Sequence, residues 1–230
     1  MKTIKSIIMW LTIFGIAMGF LESAIVIYLR KIYYPEGFRF PLVEIGNDIL
    51  SVEILREVAT MIMLLAIGFL VGKTKLQRFS YFIFSFAIWD IFYYIFLRIF
   101  LDWPESLMTA DILFLIPVPW VGPVLTPIVL SVSMLLLSFV ILRHQHLKLS
   151  NALMKKDWVL MITGSMIVIF SFLINFLVAI GEEGLHLRSI NSISVIRPEF
   201  MPLSWLLFVS GEILIVYAII RILYPKKMIA

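Results

Sequence analysis

Six apolar stretches, near residues 6–28, 53–72, 79–101, 124–142, 158–180 and 203–224, decide what this chain can become. Each approaches the roughly 20 residues that a helix needs to cross the hydrocarbon core of a bilayer. Lipid offers no partner to backbone amides and carbonyls, and a helix satisfies them within its own segment. The expected fold class is therefore all-α: a polytopic membrane bundle of six transmembrane helices forming a single integral membrane domain over residues 1–230. Charge content agrees, at 15% of residues against about a quarter in soluble domains. The first stretch follows Lys2 and Lys5 as a signal peptide would, and Ala17-Met18-Gly19 has the small residues of a cleavage site. Its apolar run continues to Tyr28, so a retained first span is expected.

One apolar segment cannot be a spanning helix. Residues 102–127 (DWPESLMTADILFLIPVPWVGPVLTP) hold Pro117, Pro119, Pro123 and Pro127. A proline inside a helix removes a backbone donor and clashes with the preceding turn. Irregular backbone at membrane depth persists only where protein or a wet cavity surrounds it. The segment is expected to be a proline-broken element, inserted or interfacial, between spans three and four. Asp102 and Pro104 suit the start of a short helix carrying Asp111, with extended chain over residues 116–123. The plainer alternative is a proline-rich loop resting on the bundle.

Basic residues set the expected orientation. Most of the nineteen Lys and Arg lie at the termini and in the links after spans two and four, including Lys73, Lys75, Arg78, Arg143, Lys155 and Lys156. Both termini are therefore expected in the cytoplasm of a cell (inner or plasma) membrane. Connections 29–52, 102–123 and 181–202 then lie outside. Among the acids, Asp157 alone falls on the cytoplasmic side. Tyr28, Trp103, Trp120 and Trp205 fit an outer aromatic belt.

An ionisable residue within a span costs roughly 2.5–3.5 kcal/mol on insertion scales, so it faces the bundle and marks function. Glu22, Asp90 and Glu212 are such residues. Glu22 shares a helix face with Thr12, Gly15 and Gly19. Glu53, Glu57, Thr60, Leu64 and Gly68 form a stripe on span two with Arg56 beside it, and Glu53 reads as a solvated first-turn acid. Asp90, Tyr94 and Arg98 recur every four residues on span three, and Asn175 lies on the Gly164–Val168–Ser171 face of span five. Glu22, Glu57, Arg98 and Asn175 fall in the outer half of the spans, with Asp90 and Glu212 near the centre. Glu22, Glu57, Asp90, Tyr94, Arg98, Asp111, Asn175 and Glu212 thus form the candidate binding or translocation set, a polar cup facing outward.

The sequence excludes several chemistries. With no cysteine there are no disulfides and no thiolate metal sites. Metalloprotease, serine-hydrolase, P-loop and dinucleotide-binding motifs are absent. His144 and His146 fall at the cytoplasmic edge as solvated residues, and His186 lies beside Glu182 and Glu183 in a loop without helix-fixed ligand spacing. No nucleic-acid partner is expected, because the basic residues are dispersed among loops. The lipid bilayer is the expected partner, with other membrane subunits or a homo-oligomer as further candidates, and no cofactor is identified. Three functional classes remain: binding or transport of a cation, proton or small polar solute; a non-catalytic subunit of a larger membrane complex; or an enzyme acting on a lipid-like substrate at the outer leaflet.

Overall fold

A computed structural model describes residues 4–43, 45–147, 153–183 and 199–224. The apolar stretches form six helices: α1 (Ile4–Tyr33), α2 (Asn47–Val71), α3 (Lys75–Leu101), α4 (Leu125–His146), α5 (Lys155–Glu183) and α6 (Pro202–Leu223). All six contain stretches long and apolar enough to cross a membrane. The chain is an all-α, multi-pass membrane protein. Their ends follow local chemistry. The Thr74 hydroxyl accepts the Gln77 amide to start α3, and Pro202 opens α6, where its missing amide costs nothing.

Helix α3 is the hub, packed against α1, α2 and α4, while α6 packs against α4 and α5. Small residues allow these approaches. A Cβ on Gly19 of α1 would lie 2.8 Å from the Trp89 carbonyl of α3. Gly164 of α5 and Gly211 of α6 are equally close, each Cβ position lying 2.7 Å from the other's carbonyl. Between α3 and α4, Ser80 and Ser138 each donate to the other's carbonyl, at 3.0 and 2.9 Å.

The proline-rich segment is a hairpin. Strands β1 (Ala110–Phe114) and β2 (Trp120–Pro123) pair antiparallel, with Asp111 opposite Gly122 and Ile112 opposite Val121. Pro117 and Pro119 occupy the connection, and Pro127 falls in the first turn of α4. At these places an absent donor is tolerated. The short helix expected to carry Asp111 is not formed. Asp102 instead terminates α3 in the left-handed conformation (φ 54°) rather than capping a new helix. Asp111 is the one buried residue of β1, where the strand sets its carboxylate against Arg30 and Tyr94.

Helix α4 extends past the expected end of span four and takes in His144, which is buried rather than solvated. His186, Arg188 and Arg197, in the polar connection after span five, lie outside the described residues.

Candidate binding cavity

A cavity of about 160 Å³ lies between α1, α2, α3 and the hairpin. Helix periodicity brings its polar groups together. Glu22, Val26 and Arg30 recur every four residues on α1, so all three face it. Helix α2 contributes Glu53, Arg56, Glu57 and Thr60, and α3 contributes Trp89, Asp90, Tyr93 and Tyr94. The hairpin adds the stretch from Asp111 to Leu115. Tyr34, Phe38 and Leu42, from the connection after α1, complete the wall.

Two buried ion-pair groups organise this lining. Arg30 donates through Nη2 to Asp111 Oδ1 at 2.8 Å, and the Tyr94 hydroxyl donates to Oδ2 at 3.3 Å. The Arg30 guanidinium is held between aromatic faces, 4.1 Å from the centre of Phe38 and 3.7 Å from that of Trp103. Burial pushes the Asp111 carboxyl up from its ordinary value, and the neighbouring Arg30 acts against that shift. In the second group, Arg56 donates to Glu53 through Nε at 3.0 Å and Nη2 at 2.7 Å, and its Nη1 pairs with Glu22. Thr60 donates to the other Glu22 oxygen at 3.0 Å.

Two carboxylates are held differently. Glu57 accepts the Leu115 amide, at 3.1 Å for Oε1 and 2.9 Å for Oε2, and so supplies an acceptor for the hairpin turn. Asp90 accepts from the Ser131 hydroxyl of α4 at 2.8 Å. An apolar layer adjoins this polar lining. One turn beyond Glu22 lies Met18, one turn beyond Thr60 lies Leu64, and these pack with Trp89 against Phe14, Phe82 and Phe86.

Five of the eight residues singled out in the sequence therefore share one cavity: Glu22, Glu57, Asp90, Tyr94 and Asp111. Three do not join them. Arg98 is half-exposed and donates to the carbonyls of Asp102 (2.7 Å) and Pro104 (3.0 Å), which closes the end of α3. Glu212 accepts from Ser133 of α4 at 2.8 Å and does not line this cavity. The Asn175 side chain lies outside the described residues.

Arg30, Arg56, Glu53 and Thr60 were not among the eight. Arg30 reads in sequence as an outer-loop cation, yet α1 runs on to Tyr33 and places it two turns above Glu22. That four-residue spacing was the available signal. Glu53, expected in solvent, is buried, because Arg56 three residues later folds back onto it. The chain matches no protein-family profile, no curated protein and no solved structure.

Proposed function

We propose that this protein binds a small polar or cationic solute within the membrane, in the cavity bounded by α1, α2, α3 and the hairpin. One observation carries the reading. Charged residues from four separate elements converge on a single space of about 160 Å³. Charges within a membrane domain are costly, and a fold needing only stability would lack most of these. The excess of Lys and Arg at the termini and in the links after α2 and α4 supports both termini being cytoplasmic in a cell membrane. The hairpin and cavity then face outward. The packed Met18–Leu64–Trp89 layer supports a site reached from that side, with any passage onward requiring the layer to part.

The test is equilibrium binding to the purified protein in nanodiscs, using a panel of amines, amino acids, sugars and monovalent cations. Val26 lines the cavity without taking part in the hydrogen bonds, so Val26→Trp should fill it and abolish any binding seen for the native chain. A panel on which no member binds, or binding that the filled variant retains, overturns the proposal.

A further inference from the structure

We infer that residues 34–43, in the connection between α1 and α2, are the moving wall of the cavity: a strap that swings aside to open it, with Phe38 as its latch. The inference concerns the way into the site. Its test needs no solute, so it and the proposed function can fail separately.

The walls differ in how they are tied. Helix α1 is joined to α2 through Glu22, which pairs with Arg56 and accepts from Thr60, and it packs closely on α3 at Gly19. The hairpin is fixed by its strand pairing, by Asp111 on Arg30 and Tyr94, and by the Leu115 amide on Glu57. Strand β2 also packs against α5. Parting these elements breaks hydrogen bonds to charged groups or close helix contacts, the more costly kind of loss.

Residues 34–43 have no such ties. Among the described residues, their hydrogen bonds are local. The Tyr34 amide donates to the Arg30 carbonyl at 2.8 Å and the Gly37 amide to the Tyr34 carbonyl at 3.0 Å. The Val43 amide donates to the Tyr34 hydroxyl at 2.7 Å, and Arg39 to Glu36 at 3.4 Å. None of these bonds reaches α2, α3 or the hairpin. What holds the strap down is apolar. Leu42 packs with Leu50 and Val121, with Phe40 beside them. Phe38 stands edge-on to Trp103, ring centres 5.7 Å apart, and lies over the Arg30 guanidinium. Segments tied by so few buried contacts are those that open first, and cavity lids are drawn from them.

The geometry also keeps the opened state inexpensive. When Phe38 lifts, Arg30 retains Asp111 and the face of Trp103, so no charge is stranded. Pro35, Glu36, Gly37, Arg39 and Pro41 are already exposed. Gly37 sits at φ 107° with open space around it, a backbone state that suits a pivot. Tyr34, Phe38, Leu42 and Val43 all line the cavity, so moving this one segment uncovers it.

Thiol labelling tests the strap. The chain has no cysteine, so Val26→Cys places a single thiol on the cavity lining. Its rate of modification by 2-aminoethyl methanethiosulfonate, in nanodiscs, reads how often the cavity opens. Phe38→Ala in that background removes the latch and should raise the rate roughly tenfold, the loss of one aromatic and one cation–π contact. Tyr34→Phe keeps the bulk of the wall and removes only the acceptor of the Val43 amide; it should raise the rate roughly threefold. This second variant carries the test alone if Phe38→Ala fails to fold. A rate indifferent to both changes, or one that rises only when Glu57→Leu loosens the hairpin, overturns the inference. A rise in Phe38→Ala without one in Tyr34→Phe marks a hole rather than a movement and overturns it as well.

Discussion

The guanidinium of Arg30 and the carboxylate of Asp111 meet at 2.8 Å across 81 positions of sequence. This contact ties the hairpin to α1, and both side chains are almost wholly removed from solvent. Removing one partner of such a pair strands the other charge, which costs about 3–5 kcal/mol. Arg30→Met should therefore lower stability by about that amount. The double variant Arg30→Met with Asp111→Asn should lose less than the sum of the single losses, because neither remaining group is charged. Unfolding of the four proteins in the same micelles measures the coupling. Additive losses would show that the pair contributes nothing beyond its separate contacts.

Helix α1 meets α3 through a stripe of small residues, and Gly19 is its tightest point after Gly15. A Cβ there would lie 2.8 Å from the Trp89 carbonyl and 3.1 Å from Phe92 Cβ. The carbonyl belongs to the backbone of the central helix and cannot swing aside. Gly19→Val should destabilise by about 1–3 kcal/mol through overpacking. It should also disturb the cavity floor, where Trp89 packs with Met18. Thermal unfolding checks the first effect, and fluorescence of the Trp residues reports the second.

The helices were legible because a membrane span announces itself by length and apolarity, and because buried faces recur at helical spacing. The stripe Glu53–Glu57–Thr60–Leu64–Gly68, read from sequence, is the buried face of α2. Two things were not legible. Proline forbids a helix over residues 102–127, but it does not say what replaces one. The hairpin depends on pairing Ile112 with Val121 and on a Glu57 carboxylate 58 positions away. Depth along a helix also fails to reveal which neighbour a residue faces. Glu212 and Asp90 lie at similar depth by residue count, yet Glu212 faces Ser133 and Asp90 faces Ser131, and only Asp90 lines the cavity.

Glu57 holds the hairpin turn through the Leu115 amide. Replacement by Leu keeps the bulk but leaves that partly buried amide without an acceptor, at a cost of about 1–3 kcal/mol. The consequence should be local. Hydrogen exchange over residues 110–123 should accelerate in Glu57→Leu, while amides of α5 and α6 keep their native protection. Glu57→Gln retains one carbonyl oxygen and should fall between the two. Equal protection of the hairpin in all three proteins would show that the strand pairing alone holds it.

Glu212 offers the complementary case. Its Oε2 accepts from Ser133, its Oε1 has no hydrogen-bond partner among the described residues, and the residue is buried between helices. Glu212→Gln keeps the carbonyl acceptor for Ser133 and removes a costly buried charge. Its amide donors take the place of the unpartnered Oε1 and offset part of that gain, so stability should stay within about 2 kcal/mol of the native protein. A loss of several kcal/mol on thermal unfolding would mean that the charge itself is matched by a group the carboxylate reaches in the bundle.

Orientation can be tested directly because the chain has no cysteine. Lys73, exposed in the short link between α2 and α3, is expected on the cytoplasmic side, and Leu107, exposed between α3 and β1, on the outer side. Single variants Lys73→Cys and Leu107→Cys then differ only in the position of one thiol. A membrane-impermeant maleimide applied to intact cells should label Leu107→Cys at once and Lys73→Cys only after permeabilisation. The reverse pattern would invert the topology. The hairpin and the carboxylates beneath it would then open to the cytoplasm, and the solute would be drawn from inside the cell.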